Sequence, residues 1–410
     1  MVRAMGVIVA GVLVTASAAE ERAVLKGGET IVFFGDSITQ NGTYVEYIEI
    51  ALRTRLHDKT FAIINRGISS ETLSGTTEPD HDPPRPCALD RFDRDIVPLK
   101  PDIVVACFGM NDGNYFPFDQ KRFAAFQKGV RTLIARVTKE LDATLVLMTP
   151  PPYDAYRRKV VDPDAAEYGY KYPAVDYDDV LKTYSEWLLT LAAEDVQIVD
   201  VHSAMNAHLR EMRREIASYA FSNDGIHPNA TGHFLMAEAL LNAWGVSPRS
   251  ERVFLDAEQT SSTDEESFVL ETQPLGPGLP IDTAWDAPSV ALFQKEGRLD
   301  RVELHLKNLP AGGYTVRVND QSIARCDASV PVSILDVMPH PNSPLVERGG
   351  ELASVIRQHQ RKRYASWREA VDAGISAPEP RALHDEAAQR TIKNLSKPRV
   401  YKIVIEPVDN

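Results

Sequence analysis

A serine and a histidine that lie far apart in the chain are the residues best placed to do chemistry. Ser37 closes the segment Gly35-Asp36-Ser37, which directly follows an apolar run of strand length. A serine there lies close to backbone N–H groups and to the positive end of a following helix, and both favour a negatively charged oxygen. The tripeptide is also an ordinary turn and N-cap sequence, so it is weak evidence when taken alone.

A carboxylate three residues before a histidine supplies the base that such a serine needs. In Asp224-Gly225-Ile226-His227-Pro228, the Asp224 carboxylate can reach Nδ1 of His227 within one turn. An imidazole held in this tautomer can take the serine proton. The alternative is an Asp-Gly turn with a histidine before proline. If the two segments meet in the fold, they predict a catalytic triad of Ser37, Asp224 and His227.

Two further loops hold donors that could stabilise charge on a substrate carbonyl. Asn65-Arg66-Gly67 follows the second predicted strand, and Gly109-Met110-Asn111-Asp112 follows the third. The backbone N–H of Gly67 and the side-chain amide of Asn111 could point at one spot above Ser37, as an oxyanion hole requires. Gly67 could equally be a turn residue and Asn111 a helix cap. Their shared position, each in the first loop after a strand, favours the catalytic interpretation.

The elements that must position these loops alternate between strands and helices. Apolar runs of strand length lie at Thr30–Phe34, Phe61–Asn65, Asp102–Phe108, Thr144–Met148 and Val196–Val201. Stretches with helical periodicity lie near Tyr44–Leu56, Gln120–Glu140, Tyr177–Ala193, Ser203–Ile216 and Ala230–Trp244. This alternation predicts a five-stranded parallel sheet covered by helices on both faces. Ligands of such sheets bind at the carboxyl ends of the strands, where all the candidate loops lie.

In that order and in those loops, Ser37, Gly67, Asn111 and His227 resemble the four sequence blocks of the SGNH (GDSL) hydrolase superfamily. The resemblance extends to the region of Gly245. It implies a flavodoxin-like three-layer α/β/α fold. It also implies that Ser37 is the nucleophile, that its N–H joins Gly67 and Asn111 in the oxyanion hole, and that Asp224 and His227 are orienter and base. The first block reads Gly-Asp-Ser-Ile-Thr instead of Gly-Asp-Ser-Leu, a variant similar to that of bacterial esterases and carbohydrate deacetylases.

The character of the sequence changes after Trp244, where Gly245, Pro248 and a polar stretch mark a boundary. We therefore expect a hydrolase domain over residues 20–247 and a β-rich accessory domain with a helical insertion over residues 248–410. Strands are predicted at Val253–Leu255, Phe268–Glu271, Val290–Phe293 and Tyr401–Ile405, with a hairpin across residues 308–313 and a helix at Glu351–Asp372. This tail resembles that of multidomain SGNH proteins of environmental bacteria, a resemblance that implies no activity.

Every catalytic candidate precedes Ser247, so a chain that ends there is expected to hydrolyse small esters. The exception would be a helix at Glu351–Asp372 that packs on the first domain and buries Leu352, Ile356 and Trp367 there. The basic run Arg361-Lys362-Arg363 within that helix is expected on a solvated face.

Composition limits the partners of the chain. The formal net charge of −13 argues against nucleic acid and anionic membranes as partners, because both need clustered basic residues.

The N-terminus has the pattern of a signal peptide over residues 1–19, with Arg3, then an apolar run, then small residues up to Ala19. A buried N-terminal helix is the alternative. The mature protein is then secreted or periplasmic, and no later stretch is long enough to span a bilayer. The oligomeric state stays open.

Other candidate residues have simpler interpretations. Three widely spaced cysteines predict neither a disulfide framework nor a zinc site, and Cys107 is expected to be buried. No metal or other cofactor is expected, because the serine mechanism needs none.

Several charged and polar residues are expected to have structural roles. Asp36 and Asp112 are expected to structure their loops. Three further histidines are expected to be satisfied surface or core residues: His202, His208 and His233. The tyrosine-rich run from Tyr153 to Tyr177 is either a rim of the site or a loop packed against the second domain.

These observations predict a serine esterase that works through an acyl-serine intermediate. The expected substrates are O-acetyl or other short acyl esters, with acetylated polysaccharide as one candidate. The alternative enzyme is a lipase or lysophospholipase. The alternative from another class is a carbohydrate-binding protein that keeps a degenerate hydrolase fold, against which the full set of catalytic residues argues.

Overall fold

The structure is a computed structural model, and it describes residues 25–158, 167–258, 267–328, 332–375 and 385–408. The predicted signal peptide, residues 1–19, lies outside the described residues. No helix within the described ranges is long and apolar enough to cross a membrane.

The first half of the chain forms the parallel sheet that the alternation predicted. Its strands are β1 (Thr30–Gly35), β2 (Ala62–Asn65), β3 (Ile103–Cys107), β4 (Thr144–Met148) and β5 (Val196–Val199). They lie in the order β2-β1-β3-β4-β5, and every neighbouring pair is parallel. The predicted fold class is confirmed, and each predicted strand is present to within two residues at either end.

Helices cover both faces of this sheet, as the continuous apolar strands require. Every residue of β3 is buried, which is typical of a strand sandwiched between helices. The helices of this half are α1 (Ser37–Asn41), α2 (Thr43–Arg55), α3 (Phe92–Asp95), α4 (Gln120–Ala135), α5 (Tyr177–Leu189), α6 (Val201–Glu215) and α7 (Ala230–Ala243).

The strand order fixes where a ligand can bind. From β1 the chain crosses to β2 on one side and later to β3 on the other, so the connections diverge between β1 and β3. A crevice forms at such a switch point, outside the carboxyl ends of the strands. Ser37 follows β1 directly and therefore lies at this crevice.

In its described ranges, the second half contributes two small sheets and three helices. Its elements are β6 (Ser250–Asp256), β7 (Phe268–Glu271), α8 (Ala287–Lys295), β8 (Arg301–Lys307), β9 (Gly313–Val318), β10 (Gln321–Asp327), β11 (Val332–Asp336), α9 (Pro344–Asp372), α10 (Glu386–Ser396) and β12 (Lys402–Pro407). One sheet has the order β10-β9-β12-β7 and the other β11-β8-β6. A β-rich second half with helical insertions was expected and is confirmed.

Two predictions for this half are wrong. The segment Val290–Phe293 lies in helix α8, because Asp286 caps the helix by accepting from the N–H of Ser289, and the buried Phe293 faces the core. The predicted hairpin across residues 308–313 does not form, since β8 pairs with β6 and β11 while β9 pairs with β10 and β12.

The failed hairpin has a simple packing cause. The apolar residues of β8 and β9 belong to one buried cluster, so the two strands face each other from separate sheets instead of lying side by side. An alternating pattern identifies the buried face of a strand, and it does not identify the neighbouring strand.

Helix α9 packs on the first half of the chain. Leu352, Ala353 and Ile356 belong to the same buried cluster as the parallel sheet, and Trp367 is fully buried. In the basic run, Arg361 and Lys362 are exposed as expected. Arg363 departs from the expectation, because it is half-buried and donates to the carbonyl oxygen of Ile63 at 3.0 Å.

Candidate active site

The structure brings Ser37, His227 and Asp224 together in one hydrogen-bonded relay. Oγ of Ser37 lies 2.9 Å from Nε2 of His227, and Nδ1 of the same ring lies 2.7 Å from Oδ2 of Asp224. A proton on Nδ1, donated to the carboxylate, leaves Nε2 as the acceptor for the serine hydroxyl. This is the geometry that a serine nucleophile and its base require.

Local structure holds each member of the relay in place. Ser37 is the first residue of α1, and the preceding Asp36 caps that helix by accepting from the N–H of Ile38 at 3.0 Å. On the histidine side, Gly225 has a φ of +81°, and a side chain there would meet the carbonyl oxygen of Asp154 at 2.5 Å. Only glycine fits this turn, which carries Asp224 and His227 toward Ser37.

The two titratable members of the relay shift each other's pKa. Burial acts to raise the pKa of Asp224, but hydrogen bonds from the His227 ring and from the backbone N–H groups of His227 and Ile226 outweigh it and hold the pKa well below its ordinary value. The hydrogen bond to Asp224 raises the pKa of His227 above its ordinary value, against the opposing effect of burial. The carboxylate therefore stays ionised and makes the imidazole a stronger base.

The three predicted oxyanion donors differ in how they are engaged. The backbone N–H of Ser37 opens α1 and has no acceptor among the described residues. The N–H of Gly67 donates to Oδ1 of Asn65 at 2.8 Å. The amide of Asn111 donates one hydrogen to the carbonyl of Glu71 at 3.1 Å, and its oxygen accepts from the Tyr115 hydroxyl at 3.1 Å. These two bonds fix the orientation of the amide. Its second N–H has no acceptor among the described residues and can donate to a substrate oxygen.

Close backbone packing explains why a glycine stands at position 67. A Cβ there would lie 2.3 Å from the backbone nitrogen of Gln40 and 2.6 Å from the carbonyl carbon of Thr39, both in α1. No larger residue fits without moving one of the two loops. Gly67 therefore sets the distance between the loop after β2 and the helix that begins at Ser37.

Two buried carboxyls, Asp36 and Asp112, structure their loops as expected, Asp36 as the cap of α1 and Asp112 as a link between two loops. Oδ1 of Asp112 accepts from the N–H groups of Leu73 at 2.8 Å and Ser74 at 2.7 Å, which joins the loop after β3 to the loop after β2. Burial raises the pKa of Asp36 to about 7 and that of Asp112 to about 6. Both carboxyls are buried in the low-dielectric interior next to the site.

A cleft of about 320 Å³ opens beside the nucleophile. Ser37 and His227 line it together with Ile38, Gln40, Asn41, His233 and Tyr364. His233 is buried, and burial lowers its pKa to about 3, so this ring is neutral. Tyr364 comes from α9, and nothing in the sequence indicated that this helix reaches the cleft.

Comparison with known proteins assigns the family. Residues 33–235 match the GDSL-like Lipase/Acylhydrolase family, over the span that holds the complete relay. The chain belongs to the SGNH (GDSL) hydrolase superfamily. It is a carboxylic ester hydrolase of the SGNH type. This SGNH hydrolase is 26% identical over 238 residues to an acetylxylan esterase from Geobacillus stearothermophilus, a match that covers 53% of this chain and 94% of that protein.

One solved structure matches nearly the whole SGNH hydrolase chain. A gut microbial diltiazem-metabolizing enzyme superposes with a TM-score of 0.73, covering 94% of this chain and 98% of its own. The two sequences are 20% identical, so this likeness shows the fold alone. The fold that the two proteins share includes the second half with its two small sheets and α9.

Two of the other histidines of this SGNH hydrolase, His202 and His208, have hydrogen-bonding partners. His202 lies 3.1 Å from a carboxylate oxygen of Asp178, and Nε2 of His208 lies 2.9 Å from the hydroxyl of Ser289. Burial lowers the pKa of His208 to about 4, which keeps it neutral. Among the described residues, no group of three or more histidine, cysteine, aspartate or glutamate side chains could hold a metal ion.

The tyrosine-rich run packs on loops of the first half. Tyr170 contacts Tyr115 edge to face, and Tyr168 contacts Phe116 in the same way. The backbone N–H of Asp154 donates to the carbonyl of Gly225 at 2.8 Å, so the start of the run supports the histidine loop. Residues 159–166 of this run lie outside the described residues. The described part therefore packs on the hydrolase half and not on the small sheets.

Proposed function

We propose that this hydrolase removes O-acetyl groups from carbohydrate, with Ser37 as nucleophile, His227 as general base and Asp224 as the residue that orients the base. The observation that carries the proposal is the relay of 2.9 and 2.7 Å that ends at a hydroxyl on the wall of a small cleft. Oxyanion stabilisation is assigned to the Ser37 N–H and the second N–H of the Asn111 amide, and the Gly67 N–H joins them when it exchanges its bond to Oδ1 of Asn65 for one to the substrate oxygen.

The reaction proceeds in two steps. Nε2 of His227 accepts the Ser37 proton while Oγ bonds to the carbonyl carbon, and negative charge develops on the carbonyl oxygen. The imidazolium then gives the proton to the departing alkoxide as the ester C–O bond breaks, which leaves an acetyl-serine. Water attacks this ester in the same way, loses a proton to Nε2, and releases acetic acid with Ser37 restored.

The lining of the cleft supports a small acyl group and a polar alcohol. Ile38 is the one aliphatic side chain among the described lining residues, whereas Gln40 and Asn41 present amides. A long acyl chain needs a continuous apolar wall, since each buried methylene contributes about 0.8 kcal/mol only when it leaves water. The similarity to an acetylxylan esterase supports the same substrate class.

The test is a substrate series on the full-length protein. Turnover of aryl esters from acetyl to palmitoyl is expected to be highest for acetate and to fall with acyl length. Release of acetate from acetylated xylo-oligosaccharides is expected as well. A maximum at palmitate would assign a lipase, and absence of turnover on every ester would assign a binding protein on a hydrolase fold.

We also propose that the protein is exported, because residues 1–19 have the pattern of a signal peptide. The exported enzyme would then have access to extracellular polysaccharide as a substrate. Expression in a Gram-negative host with the native leader should give a product outside the cytoplasm that begins at Ala19 or Glu20. A cytosolic product that retains Met1 would contradict export.

A further inference from the structure

A second depression continues from the active-site cleft along helix α9. It has a volume of about 50 Å³, and it shares Gln40, Asn41 and Tyr364 with the larger cleft. Its far side is formed by Glu46 of α2 and Arg361 of α9. The two depressions together form a groove that starts at Ser37, passes Tyr364 and ends at Arg361. We call this the α9 groove.

The hydrogen-bonding groups of the α9 groove are mostly donors. Gln40 uses its Oε1 to accept from the N–H of Ser69, and Asn41 uses its Oδ1 to accept from Thr43, so both side chains keep an amide nitrogen that no described residue binds. The side chain of Arg361 is 74% exposed, and its Nε lies 3.2 Å from Glu46. Neutral hydroxyls are good acceptors for such groups.

Glu46 anchors the far end of the groove. Its side chain is almost fully buried, and it is held by two arginines of α9, Arg361 at 3.2 Å and Arg357 at 3.6 Å. Loss of one of the two cations leaves the carboxylate paired with the other. The guanidinium of Arg361 can therefore contact a ligand, or be removed, without leaving a buried unpaired charge.

Tyr364 is held as a fixed aromatic wall between the two depressions. Its hydroxyl donates to the carbonyl of Gly67 at 2.8 Å, and its ring packs edge to face against the buried Trp367 with centroids 5.4 Å apart. A bond at the tip and a contact along the side prevent the ring from turning. Such a wall, with polar groups at its edge, suits a ligand with an apolar face and hydroxyls around its rim.

We infer that the α9 groove binds the alcohol portion of the ester as a sugar ring, which lies against Tyr364 and directs hydroxyls toward Gln40, Asn41 and Arg361. The larger cleft has room for a ring, and the smaller depression has room for a few water-sized groups such as hydroxyls. The inference rests on the proposed function, because it assumes a carbohydrate ester at Ser37. It assigns the choice of alcohol to a helix of the second half.

The experiment compares two acetate esters on the full-length protein: 4-nitrophenyl acetate and acetylated xylo-oligosaccharides. Arg361→Ala removes one hydrogen-bond donor from the groove and is expected to raise KM for the oligosaccharide about three- to tenfold, with kcat on that substrate retained. The ratio of kcat/KM for oligosaccharide to that for the aryl ester should fall by the same factor. Lys362→Ala is the matched control, because the neighbouring Lys362 is also exposed and paired, with Asp385 at 3.1 Å, but does not line the groove.

A second pair of variants tests the aromatic wall. Tyr364→Phe keeps the ring and should retain more of the oligosaccharide preference than Tyr364→Ala, which removes it, with melting curves to confirm that both variants fold. Unchanged oligosaccharide KM in Arg361→Ala, together with an unchanged substrate ratio in Tyr364→Ala, would overturn the groove alone. A wild-type protein that cleaves the aryl acetate but no acetylated oligosaccharide would overturn the proposed carbohydrate substrate and the groove with it.

Discussion

The hydroxyl of Tyr364 donates a hydrogen bond of 2.8 Å to the carbonyl oxygen of Gly67, and so joins helix α9 to a loop of the active site. The same helix supports the strand before that loop, since Gln360 and Arg363 both donate to the carbonyl of Ile63, at 3.1 and 3.0 Å. β2 is an edge strand of the parallel sheet, so its outer backbone groups have no neighbouring strand to pair with. The side chains of Gln360 and Arg363 supply the hydrogen-bond donors that such a strand would provide to the carbonyl of Ile63.

An arginine–tryptophan contact completes this attachment. The guanidinium of Arg66 lies 4.5 Å from the ring centre of Trp367, and both side chains are buried. Burial lowers the pKa of Arg66 to about 9, with nearby Arg363 adding to the effect. The loop that carries Gly67 is therefore held by residues almost three hundred positions later in the chain.

Removal of the second half is expected to inactivate the enzyme. A chain that ends at Ser247 loses the partners of β2 and exposes apolar surface that Leu352, Ile356 and Trp367 now cover. Each fully buried side chain of this kind contributes about 1.5–3 kcal/mol, against a total stability of about 5–15 kcal/mol. Circular dichroism, a melting curve and turnover of an aryl acetate should show a poorly folded and inactive product. A truncated protein with a cooperative melt and full turnover would refute the dependence on α9.

Loss of the Asn111 amide is expected to slow catalysis and not binding. Asn111→Ala should lower kcat about 10²- to 10³-fold with little change in KM, because the amide is assigned to charge that develops in the transition state. Tyr115→Phe removes only the hydroxyl that orients Asn111 and should give a smaller loss. Steady-state kinetics on an aryl acetate test both variants. A wild-type kcat in Asn111→Ala would remove this residue from the oxyanion hole.

The pH dependence of activity should follow the shifted pKa of His227. The base must be neutral, so kcat/KM should rise with pH and reach half its maximum above the ordinary histidine value of about 6.5. Asp224→Asn removes the carboxylate that raises this pKa, so the midpoint should move to lower pH while the rate falls steeply. The comparison needs pH profiles of both proteins with a neutral ester. The same midpoint in both would mean that Asp224 does not act on His227.

Stability should depend on pH through the buried carboxyl of Asp36. Its pKa of about 7 lies above the unfolded value of about 3.9, so folding takes up a proton here. The contribution of this group to stability is then greatest below pH 4 and is lost as the pH rises through 7. Asp36→Asn keeps an oxygen to accept from Ile38 and cannot ionise, so its Tm relative to wild type should increase between pH 5 and 8. Asp58→Asn, at an exposed carboxyl, should show no such trend.

The sequence predicts the parallel sheet and the relay for the same physical reason. Buried strands are continuous apolar runs, and the loops at their carboxyl ends meet at one edge of the sheet, so Ser37 and His227 are brought together by topology. The short run Val290–Phe293 does not distinguish a strand from a helix, because four apolar residues fit a strand and a helix turn equally well.

The role of α9 could not be predicted in this way. Its apolar positions indicate that one face is buried, and they do not indicate which surface covers that face. Tyr364 reaches the cleft because Gln360 docks on β2 and Trp367 packs on Arg66 in the loop that follows it, contacts that depend on the path of the whole second half. No local pattern carries that information.

The central claim, that Ser37 is the nucleophile activated by His227, is tested most directly by labelling with a fluorophosphonate probe. Mass spectrometry of the digested wild-type protein should place the probe on the peptide that contains Ser37. Ser37→Ala should lose both the label and the hydrolysis of aryl acetates while keeping the wild-type melting curve. A label on another residue, with ester hydrolysis intact in Ser37→Ala, would contradict the claim.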